Sequence, residues 1–333
     1  MKKLIIISND RLYFNRRTVC SNSNDTINII EGLSKINHLN FFSRKSSNIG
    51  IHETKVLNKS LLRIPQISSL NLKNQKICMI SITPFNYLIF MFINLFNRKV
   101  KGFVILRSDG FKEYESKFGF IGKKFYGFMF KKILNKLKPI VVSSKLSNLK
   151  SYRHLKICPS EITDIWKKNL KKPNLNKANL LYIGRIKKEK GIYSLLKLAD
   201  KLSVDFKLSV VGQNKKKISR IRNVKFYNET SNLKKIINFY DKNNIFILPS
   251  YTEGSPKVIL ESLSRLRPVI VFKEISHVKA NFKGIFVCGR SEVELQKTIR
   301  YILKNYTQIQ SNIKKNKILT RKKFQSDLMK IIK

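Results

Sequence analysis

Short apolar runs alternate with longer amphipathic or polar stretches along this chain, and that alternation predicts strands and helices taking turns. The clearest case lies in the second half. Asn244 to Leu248 is a strand-type run, Gly254 loosens the turn behind it, a helix is expected from about Pro256 to Leu266, and Val269 to Phe272 reads as the next buried strand. Pro256 suits the first helical position, where no backbone N–H is needed, and Pro268 closes the helix. Strand, loop, helix and strand in that order describe a parallel βαβ unit. The first half has strand candidates at Lys3 to Ile7, Ile77 to Ile82, Phe103 to Leu106 and Ile140 to Val142, with intervals long enough for helices. The fold class is therefore α/β.

Two helical segments carry more apolar character than a solvated helix needs. Tyr87 to Phe96 is apolar nearly all round, yet far shorter than the roughly 20 residues a spanning helix requires, so it is either a buried helix or one lying in an interface. Gly119 to Lys138 puts Ile121, Phe125, Phe128, Met129, Ile133 and Leu137 at helical spacing, with Lys123, Lys124, Lys131 and Lys138 opposite. That composition fits an interfacial amphipathic helix, and equally a core helix with snorkelling lysines. The chain from about Ser291 onward reads as basic helices, the first with an apolar face of Val293, Leu295, Ile299 and Ile302.

At 333 residues the chain exceeds the size at which one core keeps growing, so two domains of roughly 150 residues each are expected. Trp166 to Lys177 lacks an apolar period and holds five Lys, three Asn and Pro173, which marks it as the linker. The expected division is residues 1–165, the linker 166–177, residues 178–305, and basic helices over 306–333.

A net charge of +48, from 68 Lys and Arg against 20 Asp and Glu, changes the picture next. Lys, Asn and Ile are abundant together throughout, which fits compositional bias. A nucleic-acid protein is a second reading, but the charge is spread rather than gathered in a stripe, and no zinc spacing or RNP-type aromatic motif occurs. Attachment to an anionic membrane surface is the third. Cys20, Cys78, Cys158 and Cys288 stand far apart without metal spacing, as free thiols of a reducing cytoplasm would. The opening Met1 to Asp10 has too short an apolar stretch for a signal peptide and reads as a first strand. No Gly-x-Gly-x-x-Gly follows a strand, which disfavours a Rossmann dehydrogenase.

Candidate chemistry gathers around two glutamates. Glu253 belongs on the loop at the carboxyl end of a strand and Glu261 one to two turns into the following helix, where open α/β sheets place ligands. Ser255 sits beside the helix start, whose free N–H groups suit an anion. Upstream, Leu180-Leu-Tyr-Ile-Gly-Arg-Ile-Lys-Lys-Glu-Lys-Gly191 ends a strand in Gly184 and Arg185 and a loop in Lys190 and Gly191. A guanidinium fork and an ammonium point charge together can neutralise a leaving diphosphate.

These two segments resemble the retaining glycosyltransferases of family 4. The signature stands here as Glu253, Gly254, Glu261, Pro268, Val269 and Ile270, with Arg267 where the family usually has Gly. The resemblance implies the GT-B architecture: two doubly wound Rossmann-like domains facing each other across a cleft, the first for acceptor and the second for a nucleotide-sugar donor, UDP- or GDP-linked. It gives Arg185 and Lys190 to the donor diphosphate, Glu261 to the ribose hydroxyls, Glu253 to the donor sugar, and Gly212 to the neighbourhood of the base, where Gln213 and Asn214 replace the more usual Asp-Gly. It covers about residues 178 to 290 well and the first half poorly. The family's Gly-rich loop after the first strand is missing, replaced by Ser8-Asn-Asp-Arg-Leu-Tyr-Phe-Asn15.

The chain has no Asp-x-Asp pair, so no metal is expected on the diphosphate, and Arg185 and Lys190 would supply the positive charge instead. No cofactor beyond the nucleotide-sugar co-substrate is implied. Asp109, at the end of a first-half strand, is the candidate to orient or deprotonate an acceptor hydroxyl. The expected activity is transfer of a sugar to a lipid-linked, lipopolysaccharide or capsule glycan by a cytoplasmic protein on the inner face of the plasma membrane. A nucleotide-sugar epimerase and a basic nucleic-acid-binding protein are the alternatives.

Overall fold

The run that opens the chain is apolar on both of its faces, and such a strand needs cover on both sides. In the computed structural model, which describes residues 2–68, 75–97, 99–142, 152–212 and 221–332, it has that cover. Leu4 and Ile6 join one core while Ile5 and Ile7 join another. The chain divides into two compact units, residues 1–159 with 321–333, and residues 160–320.

The first unit runs β1 (Lys2–Phe14), β2 (Thr18–Ser21), α1 (Asn24–Ser34), β3 (Asn37–Lys45), β4 (His52–Lys55), β5 (Lys59–Leu61), β6 (Lys76–Ile80), α2 (Pro84–Phe96), β7 (Gly102–Leu106), α3 (Gly110–Leu134), β8 (Leu137–Val141) and β9 (Leu155–Lys156). Its parallel strands lie in the order β5-β3-β1-β6-β7-β8-β9. α2 and α3 pack on one face of this sheet through Ile89, Phe90, Ile93, Met129, Phe130 and Ile133.

The polar stretch after Ile7 does not loop away. It continues β1 past a bulge between Ser8 and Arg11 and pairs antiparallel with β2, which pairs in turn with β4. A hairpin therefore stands where a Gly-rich loop was missed. α3 begins at Gly110, earlier than the apolar spacing suggests, and breaks at Gly119, whose φ is 64°.

The second unit runs β10 (Ala178–Ile183), α4 (Ile192–Ala199), β11 (Phe206–Val211), β12 (Val224–Tyr227), α5 (Leu233–Lys242), β13 (Ile245–Leu248), α6 (Lys257–Ser264), β14 (Val269–Phe272), β15 (Ile285–Cys288), α7 (Glu292–Lys304) and α8 (Tyr306–Lys314). All its pairings are parallel, in the order β12-β11-β10-β13-β14-β15. Counted within the unit this is 3-2-1-4-5-6, the doubly wound order, and its direction reverses between β10 and β13. Pro256 is the residue before α6 and not its first helical position. Leu295, Ile299 and Ile302 of α7 are buried as the spacing requires, whereas Val293 is 69% exposed.

The segment 166–177 differs from the free linker its composition suggests. Trp166 is buried in the core of the second unit, edge-on to Tyr240. Behind it, Arg265 donates to the carbonyls of Trp166, Lys168 and Asn169, and Arg267 to that of Lys171. Backbone carbonyls rather than apolar side chains hold this strip down, so no apolar period announces it. The units part near residue 160, ahead of the expected boundary at 165. The final helix, α9 (Arg321–Ile332), packs Phe324, Leu328 and Ile332 into the core beside α1, so the basic C-terminal stretch is shared between the two units.

Candidate active site

The switch point of the second sheet is where the candidate residues meet. The loop after β10 carries Gly184 to Gly191, and the loop after β13 carries Pro249 to Pro256. These strands are neighbours although more than 60 residues separate them, so the two loops leave the sheet side by side. Lys190 Nζ lies 2.7 Å from Glu253 Oε1, and Ser250 Oγ donates to the same oxygen at 2.7 Å. Both partners of the ion pair are largely shielded, with 21% and 12% of their side chains exposed. The Tyr251 N–H donates to the Glu189 carbonyl at 3.1 Å and stitches the loops together a second time.

Gly191 is the pivot of this arrangement. It takes the left-handed conformation at φ 66°, and a Cβ there would lie 1.8 Å from the Pro249 carbonyl oxygen. Only glycine suits both demands. Gly191→Ala is expected to separate the loops and lower the melting temperature by at least several degrees, which circular dichroism would read directly. Gly212, at the end of β11, is confined by the neighbouring strand end, since a Cβ would stand 2.1 Å from the Gly184 carbonyl oxygen.

Arg185 follows Gly184 with its side chain exposed and no carboxylate in salt-bridge reach among the described residues. Its carbonyl accepts from the buried Tyr182 hydroxyl at 2.8 Å, which fixes the start of the loop. Burial and the Glu253 charge hold the Tyr182 proton in place.

Glu261 lies in the second turn of α6, a few residues beyond Gly254 and Ser255. Tyr240 donates to its Oε2 at 2.9 Å. Desolvation pushes its carboxyl up to about 7, against the Tyr240 hydrogen bond, while Glu161 adds to the rise and Lys257 opposes it. Lys257 is itself paired with Glu161.

Sequence reasoning missed Arg290, on the loop between β15 and α7. Its guanidinium lies 4.0 Å from the Tyr251 ring centroid and 4.4 Å from that of Phe272, donates to the Pro249 carbonyl at 2.8 Å, and pairs with Glu274 at 2.7 Å. It holds the loop that carries Glu253. The signal was present, because Gly289-Arg290 after a strand repeats the spelling of Gly184-Arg185.

Asp109 belongs to the first unit and is not among the residues brought together at this switch point. It caps α3, accepting from the Lys112 N–H at 3.3 Å. A cluster missed by sequence reasoning lies at nearby strand ends of that unit. Arg107 donates to Ser81 Oγ at 2.9 Å and Thr26 Oγ1 at 3.1 Å and pairs with Asp10 at 3.4 Å. Arg107 and Ser81 each directly follow an apolar run, which was the available signal. Gln213 and Asn214 lie outside the described residues. Among the described residues no three His, Cys, Asp or Glu side chains gather around one cation position.

Comparison with known proteins matches residues 164–320 to the family described as glycosyl transferases group 1. TuaC of Bacillus subtilis (strain 168), named as a teichuronic acid biosynthesis glycosyltransferase, is 30% identical over 96 residues, 29% of this chain. The match spans only about a quarter, 25%, of TuaC. Among solved structures, HepE of Anabaena in complex with UDP is similar at a TM-score of 0.69 and 11% identity, covering 99% of both chains. Sucrose-phosphate synthase of Thermosynechococcus elongatus gives 0.68 and 14%, covering 99% of this chain and 98% of that one. WaaG, a glycosyltransferase involved in lipopolysaccharide biosynthesis, gives 0.66 and 15%, covering 98% and 99%. At such identities the likeness concerns the fold, the GT-B type with two parallel-rich α/β sheets.

Proposed function

Because residues 164–320 belong to the glycosyl transferases of group 1, we infer that this chain moves a sugar from a nucleoside diphosphate donor, UDP- or GDP-linked, to a glycan acceptor. The observation that carries the reading is the convergence of Lys190 on Glu253 at the switch point, with Arg185 on the same loop as Lys190. Arg185 and Lys190 receive the diphosphate. As the bond from the anomeric carbon to the diphosphate oxygen breaks, their charges neutralise the leaving group, and no metal is needed there. Lys190 exchanges Glu253 for the phosphate, which frees the Glu253 carboxylate to hold a sugar hydroxyl. The acceptor oxygen bonds to the anomeric carbon as its proton passes to the departing diphosphate oxygen, and retention of configuration follows from the resemblance to family 4.

Glu261 accepts from the ribose hydroxyls, and Gly184, Gly212, Gly254 and Ser255 offer backbone and small side chains around the nucleotide. Asp109 is assigned to the acceptor side, along with its capping of α3. The acceptor proposed is a lipid-linked, lipopolysaccharide or capsule glycan, met by a cytoplasmic protein at the anionic inner face of the plasma membrane. The names of WaaG and TuaC support this class of acceptor.

Glu261 gives the reading a pH signature. A carboxyl raised to about 7 is protonated below that value, and ribose hydroxyls bind the ionised form better. Donor affinity is therefore expected to tighten as pH rises from about 6 to about 8, and to flatten in Glu261→Gln; calorimetric titration across that range measures both. The linked stability runs the other way. The folded pKa lies above the unfolded one, so this contribution is full below about 4.5 and is lost as pH rises through about 7.

The activity is tested by incubating the protein with labelled UDP- and GDP-sugars, with and without a lipid-linked glycan. Label in the glycan supports transfer, whereas conversion of the donor without acceptor would identify an epimerase.

A further inference from the structure

The outer sides of α2 and α3 are apolar where folding does not require it. The inner sides of both helices already fill a core with Ile89, Phe90, Ile93, Met129, Phe130 and Ile133. Yet α2 has no charged residue, and Leu88, Phe92, Leu95 and Phe96 stand along its solvent side at 56%, 43%, 71% and 54% exposure. On α3, Ile121, Phe125 and Phe128 share an exposed side, with Ile121 80% open to solvent. The apolar spacing of this helix therefore serves two faces, since Met129 and Ile133 turn inward while these three turn outward.

Two details make this one surface. The rings of Tyr87 and Phe128 meet edge-on at 6.0 Å, which joins the helices side by side. At Gly119 the helix breaks, with open space where a Cβ would stand, and Phe118 and Phe120 are each 65% exposed. Residues two apart lie about 200° apart on an unbroken helix and could not share a face.

The charges around it are mainly positive. Gly110 to Lys138 holds eight Lys against two Glu. Lys124 Nζ lies 4.6 Å from the Phe120 ring and Lys132 Nζ 5.8 Å from the Phe128 ring, so ammonium groups stand among the apolar side chains. Among the described residues no helix is long and apolar enough to cross a membrane, so these helices would lie on a surface and not span it.

We propose that the outer face of α2 and α3 docks on an anionic lipid bilayer, its Phe, Leu and Ile side chains entering the boundary between headgroups and acyl chains while its lysines pair with headgroup phosphates. A second copy is a poor occupant because it brings the same lysines opposite these. Nucleic acid is disfavoured because Leu and Ile offer base edges no hydrogen bond. The inference is independent of the sugar-transfer reading.

The test is flotation of the full chain with vesicles of phosphatidylcholine, alone and mixed with phosphatidylglycerol. Binding is expected to need the anionic lipid and to weaken with salt. It should fall about tenfold or more in Phe92→Ser/Leu95→Ser/Phe96→Ser and in Lys124→Glu/Lys132→Glu, and hold in Val293→Ser/Tyr301→Ser, which alters exposed apolar residues of the second unit. Unchanged melting curves and nucleotide-induced thermal shifts keep a lost fold or donor site apart from a lost docking face. Equal binding to uncharged vesicles, full binding by the α2 triple variant, or a dimer or RNA complex abolished by these substitutions in place of vesicle binding would each overturn the proposal.

Discussion

Lys190→Ala is expected to lower turnover by roughly 10²- to 10³-fold, as removal of a preorganised charge from a leaving group does elsewhere, with little change in melting temperature. The asymmetry comes from the position of the ion pair. Lys190 and Glu253 sit on loops outside the sheet, and Glu253 keeps the Ser250 hydroxyl when Lys190 is gone, so the fold loses little. The departing diphosphate loses the ammonium that would meet it. Lys190→Arg restores charge but not shape and should recover only part of the rate. Steady-state kinetics with saturating donor, read beside a melting curve, checks both halves. A variant with wild-type turnover would remove Lys190 from the mechanism.

Asp241→Ala should have the largest effect on stability, about 3–5 kcal/mol, because it strands buried charge. Arg265 and Arg267 are each 1% exposed, and Asp241 is the only carboxylate in salt-bridge reach of either among the described residues. Arg265 binds it through two donors at 2.9 and 2.8 Å, and its remaining N–H groups go to carbonyls of residues 166 to 169. Arg267 is satisfied almost wholly by carbonyls, among them Tyr240 at 3.0 Å, Asn243 at 2.9 Å and Lys171 at 2.9 Å. Between the two arginines Leu266 holds a left-handed φ of 56°, an unfavourable position for a leucine that these anchors fix. Removing the carboxylate leaves one guanidinium half-paired and its neighbour less compensated. Urea unfolding of the variant measures the cost, and a loss under 1 kcal/mol would show that the carbonyls alone satisfy both arginines.

Asp241 and its arginines also show why parts of this molecule were hard to read from the sequence. The Arg267 that stands where a glycine is usual looked like a simple departure; it is half of a clamp whose other half is a backbone strip without side-chain pattern. By contrast β13, α6 and β14 were legible. Buried parallel strands appear as continuous apolar runs, and Gly254, Pro256 and Pro268 mark the turns by local chemistry. The positions of Glu253 and Glu261 on a loop and a helix followed from that. The meeting of Lys190 with Glu253 did not, because it depends on β10 lying beside β13, a strand order no local pattern encodes. The same non-local pairing explains Ser8 to Phe14, four polar residues and then Leu12, Tyr13 and Phe14, the last three held in β1 by β2. On α3, one apolar period was compatible with a face turned inward and a face turned outward, and only the sheet beneath it decides which residue takes which.

The most direct measurement is thermal-shift binding of UDP, GDP, CMP and their sugars to the wild-type chain, Arg185→Ala and Glu261→Ala. If the switch point of the second unit is a donor site, one nucleotide class stabilises the wild type and both variants lose that shift while melting near the wild-type temperature without ligand. No shift with any nucleotide, or a shift that both variants keep, would contradict a donor site built on these residues, and salt-sensitive binding to nucleic acid alongside it would point to a protein of another kind.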